Sequence, residues 1–342
     1  LSHFKNKKMI KTDICIIGAG PVGLFAIFEC GLLKMHCHLI DYLPQVGGQL
    51  SEIYPKKPIY DIPGYPTILA QELSDNLMVQ AAPFKPTFTL GERVETIEKT
   101  DNGFVVTTGE DTVVECKVVV IAGGLGCFEP RKPELDRLEH FERHGVDYVV
   151  KDPEKYRGKK VVIAGGGDSA LDWAMYLADV VDELSLVHRG AIFRGAPDSA
   201  DKIAKLAAEG KLKLHLNSNI TALLGDKELT GVTVVDEQKV EHNVAVDYYL
   251  PLFGLSPKLG PIADWGLNID KSAIEVNTLD YSTNIPGVYA IGDINTYPNK
   301  LKLILCGFHE AALMAHSAAK IVFPDKKISL KYTTVQGIQG FE

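Results

Sequence analysis

Three residues stand where a nucleotide-binding chain would need them, and their charges are opposite. Asp41 lies 23 residues after Gly18, and His188, followed by Arg189, lies 23 residues after Gly165. Each interval opens on the same spaced pattern, Gly18, Gly20 and Gly23 in one case and Gly165, Gly167 and Ala170 in the other. The first glycine of such a pattern makes a tight turn and the second lets backbone approach a pyrophosphate. The third small residue lets a helix pack closely on a strand, and that helix presents its N-terminus to negative charge. A carboxylate at the far end accepts hydrogen bonds from the hydroxyls of an unmodified ribose, which fits Asp41. The second copy has no acid there, and Arg189 with Arg194 instead suits a 2′-phosphate such as that of NADP.

The elements that must position these residues are readable in order. In "TDICIIGAGPVGLFAIFECGLLKMHCHLID", Ile14 to Ile17 reads as a short apolar strand, an apolar helix runs to about Leu33, and a second strand ends in Asp41. In "KKVVIAGGGDSALDWAMYLADVVDELSLVHR", a strand over Lys160 to Ala164 precedes a helix, and a second strand ends at His188. A lone glycine triplet is weak evidence, but strand, helix, strand and discriminating residue in sequence are strong. Two nucleotide units in one chain suggest a flavin in one and a nicotinamide in the other. The stretch "TNIPGVYAIGDINT" supports the flavin, since a turn and strand over Thr283 to Ala290 deliver Gly292 and the carboxylate of Asp293. A helix is expected from about Gly307, and "KVVVIAGG" reads as a strand closing on glycines.

The bulk composition narrows the classes. A chain of 342 residues is long enough for two domains with sizeable cores, and 31 glycines point to close backbone approaches. A net charge of -8 argues against a nucleic-acid binder. The six cysteines, Cys15, Cys30, Cys37, Cys116, Cys127 and Cys306, form no C-x-x-C pair and read as buried thiols. No secretory signal stands out, and the glycine-rich centre of Ile14 to Leu33 argues for strand-turn-helix over a membrane span, so a soluble cytoplasmic protein is expected. No metal site is expected. "HEAAL" at His309 has Leu313 where a zinc-protease helix has histidine, and His36, Cys37 and His38 alternate along a strand. His140 and His144 read as one charged surface helix without a third ligand, and no G-x-S-x-G elbow occurs.

Six stretches together carry a family resemblance: "GPVGLFAIFECGL", "LIDYLPQVGGQLSEIYP", "DIPGYP", "GGGDSALDWA", "TNIPGVYAIGD" and "LILCGFHEAA". Over nearly its whole length the chain resembles the two-domain flavoproteins of the thioredoxin reductase type. Among these it is most similar to the ferredoxin–NADP reductases built on that scaffold. The resemblance implies an α/β fold of two Rossmann-like, three-layer ββα dinucleotide-binding domains. The NADPH domain, 128–253, would be inserted in a discontinuous FAD domain, 1–127 and 254–342, with a hinge inside "LPLFGLSP". Thioredoxin reductases carry a redox-active C-x-x-C shortly before the second glycine pattern. The corresponding Gly145 to Lys160 has no cysteine, so electrons must leave the flavin directly.

Carried over by residue, the resemblance implies that Gly18, Gly20 and Gly23 cover the FAD pyrophosphate and Asp41 takes the adenosine ribose. Gln49 and Tyr54 approach the flavin, with Tyr54 stacked on its ring, Val94 lies by the adenine, and Phe128, Asp293 and Thr334 complete the set. Tyr332 would stack on the opposite ring face from the C-terminal tail, which departs from relatives after Thr334. Gly165, Gly167, Asp168, Ser169, Ala170, His188, Arg189 and Arg194 would bind NADPH. Relatives commonly show H-R-R before "FR", whereas here Gly190 follows Arg189, so NADPH preference over NADH is expected to be less sharp.

No side chain is expected to act as acid or base, because hydride and electron transfer are flavin chemistry. The implied partner is ferredoxin or flavodoxin, the implied assembly is a homodimer, and the two domains are expected to rotate in use. Lys5, Lys7, Lys8 and Lys11, with Lys56 and Lys57, would supply a basic patch for an acidic carrier. Two rivals remain: a flavoprotein of the same scaffold reducing a quinone, free flavin or another partner protein, and a flavin-binding scaffold without turnover. Neither nucleic acid nor membrane is an expected partner.

Overall fold

A computed structural model describes residues 9–126, 129–142, 144–256 and 258–326, together with 333, 337 and 338. Of the expected site residues, Phe128, Tyr332 and Thr334 lie outside the described residues, as do Lys5, Lys7, Lys8 and Cys127. The chain divides into two compact units, Leu1–Cys127 with Pro257–Glu342, and Phe128–Ser256. The second crossing thus falls after residue 256, where 253 was expected. Its cause is a short antiparallel pairing of Glu129 with Ser256 and Pro130 with Leu255, which ties both ends of the insert together.

In chain order, the first segment carries β1 (Ile14–Ile17), α1 (Pro21–Leu32), β2 (Cys37–Asp41), α2 (Ala70–Ala81), β3 (Thr87–Leu90) and β4 (Val118–Ile121). The insert carries β5 (Lys160–Ala164), α3 (Asp168–Leu177), β6 (Glu183–Val187), α4 (Pro197–Ala208), β7 (Lys213–His215) and β8 (Tyr248–Pro251). The closing segment adds β9 (Val288–Ala290) and α5 (Ile304–Val322).

In the first unit the order β9-β4-β1-β2-β3 makes a five-stranded sheet, parallel at every pairing. Parallel strands covered on both faces read as unbroken apolar runs, and "ICII" and "VVVI" are such runs. Alternation sorts their side chains. Ile14 and Ile16 join α1, α2 and α5 in one core, whereas Cys15 and Ile17 join Val94, Phe104, Val106 and Val114 of an antiparallel layer in another. Fully burying a residue such as Ile16 stabilises the unit by roughly 1.5–3 kcal/mol. The layer opposite the helices is built from 94–100, 103–108 and 113–116, with 9–11 alongside.

The insert repeats this plan at smaller scale. A parallel sheet in the order β7-β6-β5-β8 carries α3, and a three-stranded meander over 219–225, 229–235 and 241–245 forms a second layer. Val162, Ala164 and Val187 of the parallel sheet share a core with Leu223, Val232 and Val234 of the meander.

α5 begins at Ile304, one turn before the expected Gly307. The run "LKL" before it alternates apolar and polar as a strand would, which hides the helix start. Gly307 lies inside the helix because α1 crosses it closely: a Cβ there would sit 2.3 Å from a methyl of Val22. His140 belongs to a single turn, Leu138–Phe141, and His144 follows it; they bond to the Asp226 carbonyl and to Glu228. No cluster of three metal-ligating side chains occurs among the described residues. No described helix is long and apolar enough to cross a membrane.

Candidate functional sites

The first glycine turn is built from both sides. Gly18 has φ +113° and donates its N–H to the Ile40 carbonyl at 2.8 Å, joining the end of β1 to the end of β2. A Cβ on Gly23 would lie 2.0 Å from the Gly18 carbonyl oxygen, so α1 can leave the turn only with glycine there. Gly20 is different: it is the N-cap of α1 without a side-chain cap, and a Cβ on it would meet nothing within 4 Å. Free N–H groups at an open helix start suit a pyrophosphate.

Asp41 does two jobs. One carboxylate oxygen accepts the Ala19 N–H at 2.5 Å and the other the Leu43 N–H at 2.8 Å, so it holds the turn in place. A carboxylate oxygen has a second acceptor site, which leaves both oxygens able to take ribose hydroxyls. Burial raises its pKa, and the two backbone N–H groups pull the other way. Val94 is buried with Ile17 and Ile40, at the ends of these strands, beside a backbone bond from Glu92 to Asp41.

A second glycine pair, Gly47 and Gly48 of "LIDYLPQVGGQLSEIYP", closes the cradle. Gly47 donates to the Ala19 carbonyl at 2.8 Å, and a Cβ on Gly48 would sit 3.0 Å from the Cα of Gly20. Gln49 follows at the start of a one-turn helix, with its amide nitrogen 3.6 Å from where a Gly124 Cβ would lie. Ser51 Oγ, in the same turn, is buried without a hydrogen-bond partner among the described residues.

Three further pieces converge on this end of the unit. The Cβ position of Gly292 lies 3.4 Å from Val22, and that of Gly307 lies 2.3 Å from it, so the first turns of α1 and α5 and the turn bearing Asp293 meet there. Asp293 has its pKa raised, first by burial, with Lys300 and Lys302 opposing and Glu310 adding to the rise. Tyr54 is near enough to feel Asp293: its phenol is pushed up to about 12 by burial, then by Asp293 and Asp61. The sequence missed Glu310, a wholly buried carboxylate behind the Asp293 turn. Its signal was present, since Gly307, Glu310, Ala311 and Met314 fall at the spacing of one buried helix face.

The Tyr54 shift has a pH consequence. The folded value lies above the ordinary 10.0, so the neutral buried phenol is fully accommodated below pH 10.0 and its stabilisation is lost as pH rises towards about 12. In Tyr54→Phe the denaturant midpoint should therefore fall less steeply across that window than in the parent. Equal slopes would mean that Tyr54 ionises as freely folded as unfolded.

The second glycine turn repeats the first. Gly165 donates to the Val187 carbonyl at 3.0 Å, as Gly18 does to Ile40. A Cβ on Gly165 would lie 2.7 Å from that of Ala170, while one on Gly167 would meet open space. Asp168 and Ser169 are exposed at the start of α3, and an Asp168 oxygen accepts the Ala196 N–H at 2.8 Å.

His188 is buried. Its Nε2 donates to the Ile192 carbonyl at 3.0 Å, its ring stacks on Phe193, and a Cβ on Gly166 would come within 2.2 Å of it. It wedges the loop 188–195 against the glycine turn, and the Arg194 N–H adds a 2.7 Å bond to the Gly166 carbonyl. That leaves the side chains of Arg189 and Arg194 exposed, with no ion pair or hydrogen bond among the described residues. A Cβ on Gly190 would lie 3.3 Å from His188 Nε2, a tight contact, so a side chain there requires the wedged imidazole to give way.

Residues 12–315 match the family model described as pyridine nucleotide-disulphide oxidoreductase. A ferredoxin–NADP reductase of Christiangramia forsetii is 61% identical over 98% of this chain and 96% of its own length. One from Flavobacterium johnsoniae is 58% identical over 98% and 96%, and one from a Bradyrhizobium species 51% identical over 95% of each. Among solved structures, thioredoxin reductase of Lactococcus lactis in its FR conformation matches with TM-score 0.78 and 25% identity, over 92% of this chain and 99% of that one.

Proposed function

Since the chain belongs to the pyridine nucleotide-disulphide oxidoreductases, and within them to the ferredoxin–NADP reductases of thioredoxin reductase-like fold, we propose that its first unit holds FAD and its inserted unit takes NADPH as substrate. The observation that carries this assignment is the pairing of two like glycine turns with unlike strand ends. One strand ends in a carboxylate; beyond the other, the exposed guanidinium groups of Arg189 and Arg194 have no ion pair or hydrogen bond among the described residues.

Bound FAD would supply the hydride and single-electron transfer chemistry between NADPH and ferredoxin, which the side chains need not provide. The chain binds and orients. The open N–H groups at Gly20 take the pyrophosphate, and Asp41 takes the ribose while holding the turn. Tyr54 offers its ring to the flavin, and Asp293 serves the ribityl and phosphate region. The first turn of α5 directs partial positive charge at the same end, favouring the more negative reduced cofactor. On the second unit Arg189 and Arg194 read the 2′-phosphate, and His188 positions them without touching it. The resemblance further supports a cytoplasmic homodimer, with ferredoxin or flavodoxin as the carrier.

Rapid mixing under anaerobic conditions tests the whole reading. NADPH should bleach the yellow protein quickly, and oxidised ferredoxin should restore the colour. Bleaching without restoration would point to another acceptor, and a protein that NADPH leaves yellow would overturn the proposal.

A further inference from the structure

The turn that carries Asp293 is held by a charge that neither glycine pattern contains. Glu310 is wholly buried in the second turn of α5. One of its oxygens accepts the Gly292 N–H at 2.6 Å and the Asn295 side-chain N–H at 2.8 Å. The other accepts the Tyr297 hydroxyl at 2.9 Å and the Lys300 ammonium. The Lys300 side chain is itself only 6% exposed. Asn295 also donates to the Ala290 carbonyl at 2.9 Å, so the network runs from the end of β9 through the turn to α5.

Such a pair is an expensive way to fix a loop. Burying two charges costs several kcal/mol per ion, and well-packed apolar residues of similar volume often stabilise a protein as much. The charges must therefore be considered for what they face. Lys300 and Glu310 both act on Asp293, with opposite signs. Behind the same turn lie the first residues of α5, whose partial positive charge is already aimed at this end of the unit.

We propose that Glu310 and Lys300 form a positioning and charge-balancing pair for the flavin site. Glu310 fixes the Gly292–Asp293 turn against the first turns of α1 and α5, and Lys300 cancels its charge. The cofactor there then responds to the turn and the helix end and not to an uncompensated buried ion. The inference rests on FAD occupying the first unit.

The pair separates structure from charge by its variants. Glu310→Gln keeps an oxygen that can accept from Gly292 but leaves Lys300 uncompensated, which favours the more negative reduced flavin. Lys300→Met leaves the carboxylate uncompensated and disfavours it. Midpoint potentials of the bound flavin, measured on the full-length holoprotein by equilibrium titration against a reference dye, should therefore move up in E310Q and down in K300M. Each shift should correspond to about tenfold in the reduced-to-oxidised ratio, or about 30 mV for a two-electron couple. Thermal midpoints should fall in both single variants, and the double variant should lose less than either. K300R, which keeps the charge, should keep the parent potential.

Shifts of the same sign, or unchanged potentials with flavin fully retained, would overturn the proposal and leave the pair a plain structural anchor. If both single variants release FAD, the double variant decides: retention supports charge balance and release overturns it. A parent protein that binds no flavin would instead defeat the assignment of FAD to the first unit.

Discussion

Replacing Arg189 and Arg194 together by alanine raises the KM for NADPH by about 100-fold and leaves that for NADH within about twofold. A charge-assisted hydrogen bond contributes roughly 1.5–3 kcal/mol, and 1.4 kcal/mol is tenfold in affinity. Two such groups therefore supply about two decades even if one bond is made poorly. The effect belongs to the cofactor and not to the fold, because both side chains are exposed and unpaired among the described residues. The thermal midpoint should accordingly stay close to the parent's. Steady-state kinetics with both nucleotides check this directly. A parallel rise for NADH would mean that the arginines hold some part of the nucleotide other than its 2′-phosphate.

Gly23→Ala should be the more damaging change in the first unit. The new Cβ would lie 2.0 Å from a backbone carbonyl, that of Gly18, which cannot swing aside as a side chain can. Overpacking of this kind typically costs about 1–3 kcal/mol, and here it displaces the glycine turn itself. The dissociation constant for FAD should rise by at least about tenfold, since 1.4 kcal/mol is a decade of affinity, and the apo form should unfold at lower temperature. Gly20→Ala provides the contrast, because its Cβ would enter open space. The apo form of that variant should unfold with the parent, while FAD binding weakens through obstruction of the open helix start. If both variants were equally stable and equally flavin-rich, the first glycine turn would not be the pyrophosphate site.

The two turns were legible in the sequence because each is a short-range object. Strand, tight turn, helix and returning strand are completed within 23 residues, so the spacing from Gly18 to Asp41 and from Gly165 to His188 carries the register with it. Likewise the apolar runs "ICII" and "VVVI" announce strands covered on both faces. The family resemblance extended this reading to Gln49, Tyr54 and Asp293.

Other parts of the two sites depend on which chain segments meet. His188 stands at the matching position of the second pattern, but burial against Gly166 and Phe193 turns it into a wedge, while Arg189 and Arg194 beside it are exposed. The link from Gly47 to Ala19, and the closing pair of Pro130 with Leu255, join segments whose separation no local pattern encodes. Glu310 shows the same limit most plainly. Its place on the apolar face of α5 could be read from spacing, but the four donors it accepts from come from Gly292, Asn295, Tyr297 and Lys300. The sequence determined the two nucleotide units, their opposite strand-end charges and the helix face on which Glu310 lies, because these follow from helix and strand periods. Only the tertiary structure decided that Glu310 holds the Asp293 turn, because a buried charge takes its role from the donors that folding brings around it.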